Sequence, residues 1–305
     1  METNEVLLSI SNVYKSFKGF KALNGINIDI YKGDFIALLG PNGAGKSTLI
    51  NILNSCTNKD SGEVTLKGYD LEKDSKQFKL LLGVVPQEIM LDQFFTPLSI
   101  LLLQQGYYGY KPSKEKAYHY LDLLGLKGKE KSSIRSLSGG MKRRVAVAQA
   151  LITNPELIIL DEPTAGVDVD LRTKLWGVIR DIHKSGTTVI ITTHYLEEAE
   201  QLCNKTIIMK HGQVLVQKKT SDLLVANQRT VSFNLSAKYE DLPSNIKSAV
   251  KWCTDKKIFS INVSNDQSIV DFFYECKAQS IEVSNINITT TSLEDVFLEM
   301  THLLD

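Results

Sequence analysis

The sequence predicts an α/β core with an antiparallel β edge and a helical subdomain, followed by a small α+β domain of ferredoxin-like type. Three observations predict it. Continuous apolar runs at FIALLG (Phe35 to Gly40), LIIL (Leu157 to Leu160) and TVIIT (Thr188 to Thr192) fit parallel strands covered on both faces. Between Gly25 and Tyr31, Ile26, Ile28 and Ile30 alternate with polar residues, which marks a half-buried strand of an antiparallel edge. After about Leu224 the long apolar runs give way to short alternating strands.

Taken in order, the elements divide into residues 1–224 and 225–305. Inside the first part, Thr96 reads as an N-cap with Pro97 at the first helical position, and Leu98, Leu101, Leu102 and Gln105 follow at helical spacing. This places a helical subdomain at about residues 89–154. In the second part TVSFNL and KIFSINVS read as strands, QSIVDFFYECKAQS as a helix and IEVSNINIT as a strand, which suggests a βαββαβ unit. The closing helix opens on Ser292 with Asp295 three residues on, a capping spacing.

The bulk composition excludes several classes. At 305 residues and 43% hydrophobic, the chain has material for one large core and a smaller one. Acidic and basic residues number 35 each, so the cationic footprint of a nucleic-acid binder is missing and no nucleic acid is expected as partner. Cys56, Cys203, Cys253 and Cys276 lie far apart in no zinc or disulfide spacing, which fits a reducing cytoplasm. No segment reaches the roughly 20 apolar residues of a spanning helix, and METNEVLLSISNVYKSF lacks the form of a secretory signal. A soluble chain is expected, with any membrane role arising through a partner.

GPNGAGKST, from Gly40 to Thr48, follows the apolar FIALL and precedes the periodic LINIL, so it satisfies G-x-x-x-x-G-K-[ST] in the required setting. Its candidate nucleotide-binding residues are Gly40, Pro41, Asn42, Gly43, Ala44, Gly45, Lys46, Ser47 and Thr48. Glycines let backbone N–H groups wrap phosphate oxygens, Lys46 would neutralise the β and γ phosphates, and the Ser47 hydroxyl would ligate Mg²⁺. LIILDEP puts an acidic pair at the carboxyl end of a buried strand, with Asp161 toward Mg²⁺ and Glu162 as general base for water, unless the pair is only a surface turn. His194 ends TVIITTH and Gln87 follows GVVP at the same edge, where a capping or packing role is the alternative for the histidine.

LSGGMKRRVAVAQA poses a separate problem. With Ser138 as N-cap, Gly139, Gly140 and Met141 fill the first helical positions and no carboxylate covers their N–H groups. Met141 cannot reach back as the Glu or Gln of a capping box would. Two glycines cost up to about 1 kcal/mol each in helix propensity, so this start is poor structure and a plausible anion cradle. VAVAQALI reads as core-facing helix, and Lys142, Arg143 and Arg144 as a solvated face.

With those residues in place, the chain resembles the ATP-binding subunits of ABC transporters from Val6 to Leu224. GPNGAGKST is similar to the family's Walker A loop, Gln87 to its Q-loop glutamine, LSGGM to its signature, LIILDE to Walker B, AGVD with Asp168 to the D-loop and His194 to the switch histidine, all in family order. The resemblance implies ATP and Mg²⁺ as ligands, with Ser47, Gln87 and Asp161 toward the metal. It further implies catalytic roles for Lys46, Gln87, Glu162, Asp168 and His194. It implies a head-to-tail dimer, most simply a homodimer, in which Ser138, Gly139 and Gly140 of one subunit cap the ATP on the other's phosphate loop. Phe17 matches the adenine-stacking position, with Tyr14 and Phe20 as close alternatives, and Met141 stands where the family more commonly has Gln.

LSGGM, GYDLEKD, TTHYLEEAE and SLEDVFLEMT are similar to the subgroup paired with small multi-span exporter permeases for drugs, lipids or glycans. That implies a peripheral place on the cytoplasmic face of the membrane beside an integral-membrane permease. Phe94 and Phe95 then either dock the permease or belong to the helical subdomain's own core. A soluble ABC ATPase acting on ribosomes or nucleic acid is the alternative.

Overall fold

In this structure, a computed structural model, residues 5–166, 169–225, 229–237, 239–253, 258–263, 266–289 and 292–302 are described. The chain opens with a long antiparallel hairpin, β1 (Val6–Phe17) and β2 (Phe20–Tyr31). The alternating Ile26, Ile28 and Ile30 are buried, as their spacing predicts. β1 carries no clear alternation in the sequence, because its register against β2 shifts repeatedly and Asn12 turns left-handed.

β3 (Phe35–Leu39) is buried at every residue and feeds α1 (Lys46–Leu53). β4 (Ser61–Leu66) and β5 (Tyr69–Asp70) join the hairpin in a sheet ordered β2-β1-β4-β5. α2 (Ser75–Leu81) and β6 (Leu82–Val85) lead to the helical subdomain, α3 (Pro97–Tyr107), α4 (Lys114–Leu123) and α5 (Gly139–Leu151). α3 starts as predicted: the Thr96 hydroxyl accepts from the Ser99 N–H and the Ser99 hydroxyl from the Thr96 N–H, with Pro97 next.

Then come β7 (Leu157–Asp161), α6 (Val169–Lys184), β8 (Thr188–Thr192), α7 (Leu196–Leu202), β9 (Lys205–Lys210), β10 (Gln213–Lys219) and α8 (Thr220–Val225). The second sheet is ordered β10-β9-β3-β8-β7-β6, parallel throughout except for the antiparallel edge β10. Its strands are the three continuous apolar runs and their neighbours, buried as parallel strands must be.

The chain divides into two compact units, Met1–Thr220 and Ser221–Asp305. The second contains β11 (Arg229–Leu235), α9 (Ser244–Ala249), β12 (Lys251–Cys253), β13 (Ile258–Val263), α10 (Asp266–Ala278), β14 (Val283–Thr289) and α11 (Leu293–His302). Its sheet is antiparallel with order β12-β13-β11-β14, and the run β11 to β14 spells βαββαβ. α9 and β12, six and three residues long, are too short to show a period in the sequence. Phe233 centres this core, its ring against those of Phe259, Phe272 and Phe273. Phe233→Ala is expected to destabilise the C-terminal unit by about 3–5 kcal/mol, read as faster amide hydrogen exchange in β11 and β13.

Candidate active site

Parallel strands put their carboxyl ends on one edge, and the chemistry-bearing loops leave from it. β3 runs into the Gly40–Thr48 loop, β6 into Gln87, β7 into Asp161 and Glu162, and β8 into His194. Because β7 lies between β8 and β6, Glu162 has a candidate on either side. Gln87 Nε2 donates to Glu162 Oε2 at 2.8 Å, and His194 Nε2 lies 2.6 Å from Glu162 Oε1. The Glu162 side chain is 14% exposed and that of His194 51%, so the carboxylate sits inside the group and the imidazole faces outward.

The backbone of Glu162 is itself unusual. At φ +48 it occupies the left-handed region, which costs a non-glycine residue of order 1–2 kcal/mol. Two clamps hold it there. Its N–H donates to the Thr192 carbonyl at 3.1 Å and to Thr192 Oγ1 at 3.0 Å, and its carbonyl accepts from Arg143 Nη2 at 3.0 Å. Thr192 Oγ1 also donates a short bond to Asp161 Oδ1. Arg143 was expected on a solvated face, but it is only 6% exposed and also donates to the Pro86 carbonyl (2.7 Å) and the Gln87 carbonyl (3.1 Å). Its neighbours Lys142 and Arg144 are half-buried. Arg143 lies four residues before Val147 and seven before Ala150, both buried, a helical spacing that could have revealed it.

In the phosphate loop Gly40 and Gly45 are sterically required. A Cβ on Gly40 would come within 2.4 Å of the Met209 carbonyl oxygen, and one on Gly45, at φ +105, within 2.6 Å of the Ala22 carbonyl oxygen. α1 starts from that left-handed Gly45 with no side-chain cap and no acidic residue in its first turn, leaving its N–H groups for an anion. Lys46 Nζ donates to the Gly40 carbonyl at 2.6 Å and the Pro41 carbonyl at 3.2 Å, so the ammonium lies across the loop. Burial holds it below the usual lysine range, against the opposing pull of Glu162 and Asp161. Pro41, Asn42, Gly43 and Ser47 are exposed, Ala44 is buried and Thr48 half-buried. The Ser47 hydroxyl, the Asp161 carboxylate and the Gln87 amide offer hard oxygen donors, the ligand type that Mg²⁺ takes.

Elsewhere, Ser138 Oγ accepts from the Met141 N–H at 3.3 Å, making Ser138 the N-cap of α5, with Ser138 and Gly139 exposed and no acid in the first turn. Phe17, 47% exposed, ends β1 opposite Phe20, with Lys15 Nζ 5.2 Å from its ring centroid. Tyr14 instead turns toward Gly25, where an added Cβ would meet its hydroxyl at 2.9 Å. Gln87, Glu162 and His194 are joined in one bonded group, whereas among the described residues no bond links Ser138 or Phe17 to it. Asp168 lies outside the described residues.

The sequence profile described as ABC transporter matches residues 23–165. The linearmycin resistance ATP-binding protein of Bacillus subtilis (strain 168) is 31% identical over 306 residues, spanning 97% of this chain and 98% of that protein. This chain belongs to the ABC transporter family. Nod factor export ATP-binding protein I of Rhizobium sp. (strain N33) is 38% identical over 70% of this chain and 71% of its own length. The daunorubicin/doxorubicin resistance ATP-binding protein of Streptomyces peucetius is 29% identical over 96% and 92% respectively.

Among solved structures, an ATP-binding cassette dimer in a post-hydrolysis state with ADP and Pi superposes with a TM-score of 0.64 at 29% identity, covering 70% of this chain and 98% of that one. The chain is thus an ATP-binding subunit that hydrolyses ATP with Mg²⁺. Subunits of this family dimerise and pair with membrane permeases. No helix among the described residues is long and apolar enough to cross a membrane. Gly45→Ala is expected to abolish binding of a fluorescent ATP analogue while circular dichroism stays unchanged, because its backbone conformation and the Ala22 carbonyl exclude a Cβ.

Proposed function

We propose that this chain powers outward transport of a drug, lipid or glycan through a separate permease, as a homodimer that closes head to tail on two MgATP. The relatives named for drug resistance and for Nod factor export support the exporter reading. The observation that carries the catalytic reading is the bridging of Glu162 between Gln87 and His194 at the end of β7.

Catalysis is mainly positioning and charge stabilisation. The exposed N–H groups of the phosphate loop and of the α1 start hold the triphosphate, and Lys46 leaves the Gly40 and Pro41 carbonyls to meet the β and γ phosphates. Glu162 orients and polarises the attacking water, and His194 holds the γ phosphate. Ser47, Asp161 and Gln87 would hold Mg²⁺, which would neutralise charge on the phosphate oxygens. Phe17, half-exposed at the hairpin end, stacks on adenine. Ser138, Gly139 and Gly140 present the bare start of α5 to the nucleotide on the other subunit.

The permease meets the helical subdomain. An open groove of about 890 Å³ there is lined by Met90, Phe95, Leu103 and Tyr107 among others. Phe94 is 97% exposed and Phe95 39%, so Phe94 contributes nothing to the subdomain core and supports the docking reading.

Glu162→Gln is expected to cut the hydrolysis rate at least about 100-fold while ATP binding persists, and light scattering with MgATP should report a dimer. Full-speed hydrolysis by that variant contradicts the base assignment, and a strictly monomeric protein contradicts head-to-tail closure. Phe94→Asp should lose co-purification with a co-expressed permease and keep the isolated ATPase rate, whereas intact co-purification places the docking surface elsewhere.

A further inference from the structure

We propose that Arg143 is a positioning residue that couples the two ATP sites, tying the start of α5, which serves the partner's nucleotide, to the water-orienting carboxylate of its own subunit. The inference rests on the head-to-tail reading given above.

Arg143 lies five residues after Ser138, the N-cap of the same helix, about 7.5 Å along the axis at 1.5 Å per residue. A helix is stiff over that length, so movement of its first turn moves Arg143 as well. The guanidinium presents a planar fork of donors, and here that fork reaches three carbonyls in two separate loops. Pro86 and Gln87 belong to the loop after β6, and Glu162 to the loop after β7. Both loops carry candidate site side chains, and Arg143 holds each by its backbone.

As a purely structural device this arrangement is costly. A buried cation normally requires a paired carboxylate, but among the described residues no carboxylate lies within ion-pair distance of Arg143. Burial lowers the guanidinium from its ordinary value, and the more distant charges of Asp161 and Glu162 oppose that shift. Arg144, next in sequence, offers a contrast: it donates to the Leu124 and Gly125 carbonyls inside the helical subdomain and to neither site loop.

The consequence of losing Arg143 is specific. Glu162 at φ +48 is clamped through its N–H by Thr192 and through its carbonyl by Arg143. With one clamp gone, the left-handed strain is free to relax, and rotation of that backbone swings the carboxylate away from Gln87 and His194. A 1 Å error in the placement of a catalytic group costs up to about 100-fold in rate. Among the described residues no hydrogen bond or ion pair joins Arg143 to the phosphate loop, so nucleotide affinity should be spared.

The test uses the full chain, with ATP concentration varied at saturating Mg²⁺, for the unaltered protein, Arg143→Lys and Arg143→Met. Lys keeps the charge but cannot span three carbonyls, and Met keeps the length without donors. Both variants should lose about 10- to 100-fold in kcat with KM for ATP within about threefold, and the Hill coefficient should fall toward one. Added guanidinium at millimolar concentration should partly restore kcat in Arg143→Ala. Variants with unchanged kcat and Hill coefficient overturn the proposal, as does a fall in kcat that matches only a loss of folded protein by circular dichroism. If Arg143→Met fails to fold, Arg143→Lys decides. Failure of the unaltered protein to hydrolyse ATP or to dimerise with MgATP would instead overturn the underlying reading.

Discussion

A parallel sheet covered on both faces is the constraint from which the rest of this molecule follows. Only parallel strands bring every carboxyl end to one edge, and only complete burial lets those strands consist of runs such as FIALL, LIIL and TVIIT. Strand order then decides which side chains can meet. With β7 between β8 and β6, the carboxylate of Glu162 is reached from one side by His194 and from the other by Gln87. Placing β7 at an edge would remove one of the two.

The edge gathers these groups, but a second layer of bonds fixes them. Thr192 serves both acidic residues at once, binding the Asp161 carboxylate and the Glu162 backbone. Further out, the buried Glu198 on α7 accepts from Thr164 Oγ1 and, at 3.1 Å, from Trp176 Nε1 on α6. The loop that follows Glu162 and the helix that follows His194 are therefore joined through one carboxylate. Since a buried carboxylate without these donors would be strongly unfavourable, the two segments keep a fixed relation to each other.

What could be read from sequence follows the same physics. Uniform burial leaves an unbroken apolar run, and phosphate binding leaves glycines where backbone must approach a ligand, so the core strands and the Gly40–Thr48 loop were legible. β1 was not, because bulges break its alternation, and β12 was not, because three residues carry no period. Arg143 was hidden by its charge and by two basic neighbours, although its spacing to Val147 and Ala150 places it on the buried face of α5. The positive φ of Glu162 left no trace at all in sequence, since nothing about glutamate announces a left-handed backbone. Composition and periodicity report burial and ligand contact well, and bonds between side chain and backbone of distant segments poorly.

Two helix starts in this chain leave N–H groups open to an anion. α1 begins at a left-handed glycine with no side-chain cap, and α5 at two glycines with no acidic residue in its first turn. An ordinary chain would fill such positions, since a favourable cap or first-turn carboxylate contributes roughly 0.5–2 kcal/mol. α1 has neither, and α5 has the Ser138 cap but no first-turn carboxylate, which makes sense when an anion supplies the missing stabilisation, and a triphosphate carries enough charge for both. Among the described residues no bond joins the α5 start to the phosphate-loop group of the same chain. Under the proposed function each start finds its anion on a different nucleotide, so two copies of the chain complete two pockets between them. Closure and nucleotide binding are then one event, because the first-turn N–H groups of α5 that Ser138 leaves open are satisfied only when the second subunit arrives.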